Sequence, residues 1–303
     1  MSDRVRVDEV LASLLNLCSP LEPFDMPLLD AHGATLAEDI YAGERLVLRA
    51  GTRIRSTQIG LAASIGLDHL PTRPHPRVVV MSAGPDLVEP GKTLKDDEEF
   101  ETNSWMLTTA VREVGAVAYR VHSIPENEDQ LKDAIEDQLV RADLIIISGE
   151  RHDDSFDLIT RTLEKIGEIK TVEISIESSG RHNYGTIGPD KTPVVTLPGD
   201  PIAAYISFEL LIRPMIRTML GTANIHRPSV KAKLEKALTS SGGYRSYVRA
   251  ILSEDGKSVV PLSSQDEQAT LSDANCFIAV PEGETQLAAG AEVTVVVLER
   301  RYL

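Results

Sequence analysis

The chain has little cysteine, few aromatic residues and no long apolar run. Its 303 residues include two cysteines, Cys18 and Cys276, and aromatic side chains make up 4%. Two distant cysteines without metal-ligand spacing exclude a disulfide framework, and they indicate plain core thiols in a reducing compartment. No stretch approaches the roughly 18 apolar residues of a membrane-spanning helix, and Met1–Arg4 does not begin a signal peptide. We therefore expect a cytoplasmic protein without direct membrane insertion.

Positive charge is also scarce. The 31 lysines and arginines face 46 aspartates and glutamates, which gives a net charge of −15. This balance opposes binding to nucleic acid or to an anionic membrane, because both present negative surfaces. It is compatible with a basic or mixed-charge partner, although many acidic proteins use their charge only for solubility. The length allows two or three domains.

The central part of the chain alternates between apolar strands and helical patterns. Strands are predicted at 78–81, 116–124, 144–147, 172–176 and 194–197. Helices are predicted near 103–115, 127–141, 157–167 and 201–220. Strands that are apolar on both faces are typical of a buried parallel sheet. The pattern predicts an α/β domain over residues 51–224, with a mostly parallel sheet flanked by helices.

Two smaller regions flank this domain. Residues 1–50 are assigned to an N-terminal helical and dimerisation segment, with a helix over 5–17 and a short helix and a strand within 28–40. Ser56 is predicted to cap a helix over 57–66. After residue 225 the apolar period changes to two, with strands near 230–234, 247–252, 259–262, 277–280 and 293–298. Residues 225–303 are therefore predicted to form a small β-barrel-like domain.

Three loops follow the carboxyl ends of predicted strands, where an open α/β sheet binds its ligands. They span residues 82–91, 148–157 and 197–201. Pro201 stands at the first turn of a helix and should leave N–H groups free for a ligand. The second loop offers Gly149 for the close approach of a phosphate, but it also carries the carboxylates Glu150, Asp153, Asp154 and Asp157. Its position suits an anion while its charge opposes one, and Asp157 or Ser155 could equally cap the next helix.

In order and spacing these loops resemble the MoeA/gephyrin E-domain family of molybdopterin molybdenumtransferases. The matching segments are Val88–Gly91, Thr102–Leu107, Ser148–Gly149, Leu197–Pro201 and, in the tail, Pro281–Gly283. The resemblance covers nearly the whole chain. It implies the family's α/β fold with a β-barrel-like C-terminal domain, a homodimer, and a site for molybdopterin, molybdate and Mg²⁺.

The resemblance also assigns the site residues. Catalytic remnants are Asp86 and Asp157, and binding remnants are Ser82, Gly84, Ser148, Gly149, Arg181, Pro198, Gly199, Asp200 and Pro201. Several family features are altered in this sequence. A glutamate is shortened to Asp86, two glycines are replaced by Glu150 and Asp154, an asparagine is replaced by Asp200, and of a lysine-rich stretch only Arg181 is cationic.

The family's inserted β domain and the catalytic aspartate it carries are missing near residues 41–47. These changes favour an eroded molybdenum site that binds no cofactor, and no metal site is predicted.

A scaffold is therefore the favoured function. The resemblance to gephyrin-like MoeA paralogues of actinobacteria implies a homodimer that binds a short peptide, such as the C-terminal tail of the division protein FtsZ. The anchors would be Leu11, Tyr244 and Tyr247, where the N-terminal helix meets the C-terminal domain. Leu11 and Tyr247 could equally be core residues. The alternative is an active molybdopterin molybdenumtransferase.

Overall fold

The structure is a computed structural model that describes residues 4–121, 127–149, 153–264 and 266–299. Within these ranges no helix is long and apolar enough to cross a membrane. The first elements, in chain order, are α1 (Val7–Leu15), β1 (Phe24–Pro27), β2 (Thr35–Leu36), β3 (Ile40–Ala42), β4 (Arg45–Leu48), α2 (Ser56–Ser64) and β5 (His69–Arg73). The predicted N-terminal helix is confirmed as α1, which buries Val10 and Leu14 in the largest core cluster.

A small antiparallel sheet in the order β1–β5–β2 follows α1. The strand β5 lies in the predicted second domain yet pairs with β1, and the domain boundaries themselves stay predictions. The short helix predicted within 28–40 is wrong, because residues 28–33 form turns. Gly33 lies among them with a φ of +87°, which does not continue a right-handed helix. Ser56 is the first residue of α2 and not its cap.

A tight hairpin occupies residues 40–48, where the family resemblance implies that an inserted domain is missing. Strand β3 pairs with β4 in antiparallel fashion, with Tyr41 opposite Leu46 and Ala42 opposite Arg45. Gly43 has a φ of +62°, the left-handed conformation that a short hairpin turn requires and that glycine adopts without strain. The chain therefore reverses direction here through a tight turn.

The central part forms a six-stranded sheet with helices on both faces. Its elements are β6 (Arg77–Ser82), β7 (Leu87–Val88), β8 (Glu99–Phe100), α3 (Asn103–Val114), β9 (Val117–Arg120), α4 (Glu128–Leu139), β10 (Leu144–Ser148), α5 (Asp153–Ile166), β11 (Gly167–Glu173), β12 (Arg181–Ile187), β13 (Thr192–Leu197), α6 (Pro201–Ser207), a π-helical turn (Phe208–Ile212) and α7 (Arg213–Met219). The strand order is β11–β12–β13–β10–β6–β9. The four strands from β13 to β9 are parallel, which confirms the predicted α/β fold.

The central strands are buried on both faces. In β6, Val78 and Val80 belong to one core cluster and Val79 and Met81 to another. This alternation places the two clusters on opposite faces of the sheet. Helices α1, α3 and α7 contribute to the first cluster, while α4 and α5 contribute to the second. Such double coverage explains why these strands are continuously apolar in sequence.

Strand β12 was not predicted, and the strand predicted at 172–176 is instead β11, which ends at Glu173. Strand β12 is antiparallel to both of its neighbours. It contains Gly185, where a Cβ atom would lie 1.9 Å from the carbonyl oxygen of Glu168 on β11. The two strands therefore approach each other at a point where only glycine fits. The predicted long helix over 201–220 contains the π-helical turn just before Pro214, which has no N–H to donate.

The C-terminal part is a closed barrel in the order β14–β17–β16–β18–β20. Its elements are β14 (Ser229–Leu234), β15 (Leu238–Thr239), β16 (Ser246–Leu252), β17 (Ser258–Pro261), α8 (Glu267–Asp273), β18 (Cys276–Val280), β19 (Gln286–Leu287) and β20 (Glu292–Val297). All five predicted strands are present as the barrel strands, which confirms the predicted β-barrel-like domain. Burial raises the pKa of Cys18 and of Cys276 to about 12, as expected for unreactive core thiols.

Candidate functional site

The three predicted loops converge on one edge of the central sheet. Ser148 at the end of β10 lies beside Ser82 at the end of β6 and beside Leu197 at the end of β13. A cleft of about 260 Å³ opens there, and we call it the glycine cleft. Its lining residues are Leu87, Glu99, Phe100, Glu101, Thr102, Asn103, Gly149, Gly199, Pro201 and Gln268. The prediction that the three loops converge on one crevice is confirmed, since Leu87, Gly149 and Gly199 each line it.

A chain of buried hydrogen bonds joins two of these loops. Ser82 Oγ donates to Glu101 Oε1 at 2.7 Å and lies 2.8 Å from Ser148 Oγ, which therefore donates to it. Ser82 is 2% exposed and Ser148 is fully buried. Both hydroxyl groups, predicted to contact a ligand, are thus engaged inside the protein.

Glu101 is a buried carboxylate that the sequence analysis missed. It is 1% exposed and accepts hydrogen bonds from Ser104 N at 2.7 Å and Ser104 Oγ at 2.5 Å, at the start of α3. A carboxylate at the N-terminus of a helix is stabilised by the free N–H groups and the helix dipole. The signal in the sequence was the spacing of three residues between Glu101 and Ser104, which places the carboxylate next to an unpaired helical N–H.

One arginine balances two carboxylates beside the cleft. Arg120 donates from Nε to Ser104 Oγ at 2.7 Å, from Nη2 to Glu89 Oε1, and over 3.4 Å to Glu101 Oε2. Its guanidinium lies 4.2 Å from the ring centroid of Trp105, whose Nε1 donates to Glu89 Oε2 at 3.2 Å. Buried charge is tolerated when it is paired and hydrogen-bonded in this way. The network fixes α3 against the loop that carries Glu89.

In the third loop, Asp200 caps the N-terminus of α6. Asp200 Oδ1 accepts from Ile202 N at 3.1 Å and from Ala203 N at 3.0 Å, so the predicted free N–H groups next to Pro201 are occupied. That prediction is wrong, because the aspartate caps the helix that the ligand was expected to meet. Asn103 Nδ2 donates to Gly199 O at 2.8 Å and holds this loop against α3.

We expect Asp200→Ala to lower the free energy of unfolding by about 1 kcal/mol, within the 0.5–2 kcal/mol range of lost N-caps. Asp200→Asn is the matched variant, because asparagine caps helices about as well as aspartate but carries no charge. It should leave stability nearly unchanged. Urea denaturation of the three proteins checks this, and equal losses for both variants would contradict the capping role.

Asp157 and Arg181, two of the residues that the resemblance assigns to the site, lie next to each other. Arg181 Nη1 lies 3.4 Å from Asp157 Oδ1, and its guanidinium is 4.3 Å from the ring centroid of Phe156. Because α5 begins at Asp153, Asp157 is inside the helix, and its alternative role as the cap is wrong. A Cβ atom at Gly149 would lie 2.7 Å from Ser155 Oγ, so this glycine also permits the packing of α5.

Part of the acidic turn lies outside the described residues. Glu150 and residues 151–152 lie outside the described residues, as do the side chains of Asp153 and Asp154. The predicted opposition between their charges and an anion stays a prediction. Gly84 is buried, and Asp86 is part-buried in the loop beside β7, where its carbonyl oxygen accepts from Glu99 N at 2.9 Å. Within the described ranges no three His, Cys, Asp or Glu side chains gather to hold a metal ion.

The predicted partner-binding residues lie where α1 meets the barrel. Asp8 of α1 forms an ion pair with Arg245 at 3.2 Å, directly before β16. Leu11 and Tyr247 are part-buried and pack against the largest core cluster. Tyr244 lies under Arg4, whose guanidinium is 4.4 Å from the ring centroid. The predicted junction therefore exists, although two of its three anchors already have contacts within the core.

Known proteins match both folded parts. Residues 80–218 match a family described as a probable molybdopterin binding domain, and residues 231–298 match the MoeA C-terminal region (domain IV). Molybdopterin molybdenumtransferase 1 of Mycobacterium tuberculosis is 32% identical over 270 residues, which cover 86% of this chain and 63% of that protein. Molybdopterin molybdenumtransferase 2 of the same organism is 33% identical over 266 residues, covering 85% and 65%. The chain belongs to the MoeA family.

A solved structure has the same fold. The molybdopterin biosynthesis MoeA protein from Pyrococcus horikosii aligns with a TM-score of 0.85 and 20% identity, over 98% of this chain and 100% of that one. At this identity the likeness shows the fold. This MoeA-family chain spans 63 to 65% of the length of the two mycobacterial relatives.

The described lining of the glycine cleft is acidic. Among its described lining residues are two carboxylates, Glu99 and Glu101, and no lysine or arginine. The cleft of this MoeA-family chain thus keeps the glycines and has an acidic lining.

Proposed function

We propose that this chain binds molybdopterin in the glycine cleft and acts as a molybdopterin molybdenumtransferase in molybdenum cofactor biosynthesis. The observation that carries the proposal is the meeting of Gly149 and Gly199 at the ligand-binding edge of the sheet, in a chain 32 to 33% identical to two relatives of that name. Glycine lets a ligand approach the backbone closely, and this edge is where open α/β sheets bind ligands.

The acidic lining of the cleft suits the ring of a pterin. A carboxylate only accepts hydrogen bonds, whereas a pterin ring presents an amino group and a ring N–H as donors. Both Glu99 and Glu101 line the cleft, but the Glu101 carboxylate is buried and already accepts from Ser82 and Ser104, so Glu99 is the acceptor in this proposal. The phosphate end of the substrate needs a cation, and Arg181, beside Asp157, is the one that the family resemblance assigns to it.

A second candidate is a homodimeric scaffold with a degenerate site. It is favoured by the absence of lysine and arginine from the described cleft lining, together with the occupation of the α6 N–H groups by Asp200. In this proposal a short peptide, such as the C-terminal tail of FtsZ, docks at the junction of α1 and β16 in cell division. Leu11, Tyr244 and Tyr247 are its anchors, and no cofactor is bound.

One set of titrations separates the two proposals. The full chain is titrated by calorimetry with molybdopterin, with adenylylated molybdopterin and with an FtsZ tail peptide, and light scattering measures its oligomeric state. The first proposal expects saturable binding of the pterin, and molybdenum on the pterin by mass spectrometry when molybdate and Mg²⁺ are added. Asp157→Asn should slow the transfer at least about tenfold, equivalent to about 1.4 kcal/mol.

Asp143→Asn is the matched control, because Asp143 pairs with Arg77 at the opposite end of the parallel strands and should leave transfer unchanged. Absence of pterin binding by the folded protein would overturn the first proposal. The scaffold then requires peptide binding by a dimer that Tyr244→Ala weakens, and a monomer or a peptide without affinity would overturn that candidate as well.

A further inference from the structure

A second cleft lies at the free edge of the central sheet. It measures about 470 Å³ and is lined by Trp105, Thr108, Thr109, Arg112, Ala118, Tyr119, Arg120 and Arg141, a set we call the arginine cleft. The first four residues follow helical spacing and form one face of α3. Ala118 to Arg120 belong to the edge strand β9, and Arg141 follows α4. None of these residues lines the glycine cleft.

The carboxylates described around the arginine cleft do not balance all of its positive charge. Arg120 is paired with Glu89 and Glu101. Arg141 instead donates to the neutral amide oxygen of Gln138, and its guanidinium lies 4.8 Å from the ring centroid of Tyr119. Among the residues that the structure describes, no carboxylate lies within 4.0 Å of the charged groups of Arg112 or Arg141. Two such guanidinium groups at one cleft are unexpected in a chain of net charge −15.

A buried hydroxyl group in the same cleft has no partner. Thr108 is 5% exposed, and its Oγ1 makes no hydrogen bond among the described residues. The neighbouring Thr109 shows the usual alternative, because its Oγ1 donates to Trp105 O one turn earlier at 3.0 Å. Buried polar groups in folded proteins are nearly always paired. Because Thr108 also lines the cleft, its hydroxyl group is a buried polar group at this site whose partner the described residues do not supply.

We propose that the arginine cleft binds a phosphate-bearing small molecule, with Arg112 and Arg141 on the phosphate oxygens and Thr108 Oγ1 donating to one of them. The planar guanidinium fork matches a phosphate group better than any other cationic side chain does. A volume of about 470 Å³ is within the 300–1,000 Å³ range of small-molecule sites. Trp105 and Tyr119 each stack against an arginine, which holds the walls of the cleft in place.

The only tryptophan of the chain reports on this site, because Trp105 is part of its lining. The full chain is titrated with pyrophosphate at constant ionic strength while tryptophan fluorescence is followed. We expect a saturable change. Arg112→Gln and Arg141→Gln should each weaken the apparent affinity about tenfold, and Thr108→Val should weaken it severalfold without loss of the folded state in circular dichroism.

Arg53→Gln is the matched control, since Arg53 is an exposed arginine in the N-terminal part and should leave the titration unchanged. A response that chloride reproduces at equal ionic strength, or that the three cleft variants do not alter, would overturn the proposal. The same holds for a response abolished by Arg181→Gln alone, because it would assign the ion to the glycine cleft. Binding of a glutamate-rich peptide without any response to pyrophosphate would likewise overturn it in favour of an acidic protein segment at the edge of β9.

Discussion

Replacing Glu209 with glutamine is expected to lower the free energy of unfolding by about 3–5 kcal/mol. Glu209 is 4% exposed, and its two carboxylate oxygens accept from Arg227 Nε and Nη2, both at 2.7 Å. Arg213 Nε lies 3.8 Å from the same carboxylate. The variant leaves two largely buried guanidinium groups without their counter-charge. Burial, and next the repulsion from Arg227, already lower the pKa of Arg213 to about 10 in the native protein.

The ion pair between Glu209 and Arg227 also joins two parts of the fold. Arg227 lies in the linker before β14, and its Nη1 donates to Leu298 O at 2.6 Å, after the last barrel strand. Glu209 belongs to the π-helical turn, which contributes Phe208 and Leu211 to the largest core cluster. The pair therefore fastens the barrel to the α/β core, and its loss should promote unfolding of both parts.

A surface pair provides the matched control for Glu209. Arg77 and Asp143 also form two side-chain hydrogen bonds, at 2.8 and 3.2 Å, but their side chains are 47% and 18% exposed, against 13% and 2% for Arg227 and Glu209. Asp143→Asn should cost about 1 kcal/mol or less, because water screens the half-exposed Arg77 guanidinium. Urea denaturation of both variants measures the difference. Equal losses would contradict the argument that burial decides the cost.

The parts of the fold that could be predicted from sequence are those whose environment is uniform along the element. Strands β6 and β10 are buried on both faces, so their apolar runs predicted them, and the barrel strands alternate because one face is buried. Strand β12 could not be predicted from an apolar pattern because it contains Arg181, His182 and Asn183. Two of these side chains are buried and satisfied by distant groups, as when Asn183 Nδ2 donates to Thr160 Oγ1 at 2.8 Å.

The candidate site could also be predicted from the sequence only in part. Gly149 and Gly199 were predictable because strand ends and glycines are local features that the topology then brings together. The network around Glu101 was not, since Arg120 and Ser82 are each 19 residues away along the chain. The sequence also could not decide between two uses of Asp200. A negative charge at that position opposes an anion, yet the structure uses it as a helix cap, which partly neutralises it.

His182 is expected to make the protein less stable below about pH 6.5. It is 1% exposed and lies 2.9 Å from Thr196 O through Nδ1 and 2.7 Å from Ser179 Oγ through Nε2. A carbonyl oxygen can only accept, so Nδ1 carries the proton and Nε2 accepts from the serine, which is the arrangement of a neutral imidazole. Burial lowers the pKa of His182 from 6.5 to about 4.

The sign follows from proton binding. The unfolded chain takes up a proton on this histidine near pH 6.5, whereas the folded protein does so only near pH 4. The free energy of unfolding therefore decreases as the pH is lowered from about 6.5 to about 4. A difference of this size corresponds to a loss of about 3 kcal/mol by pH 4, at 1.36 kcal/mol for each pKa unit. Above pH 6.5 the contribution is constant.

The measurement is urea denaturation at pH 7, 6, 5 and 4 for the wild-type chain and for His182→Gln. Carboxylates also titrate over this range, but they contribute nearly equally to both proteins and cancel in the difference. The wild-type protein should lose about 3 kcal/mol more than the variant between pH 7 and pH 4. His32→Gln, at an exposed histidine, should run parallel to the wild type. If the stability of His182→Gln changed with pH in the same way as that of the wild type, a neutral buried imidazole at His182 would be ruled out. Its hydrogen bond to Thr196 O, which links β12 to β13, would then need another explanation.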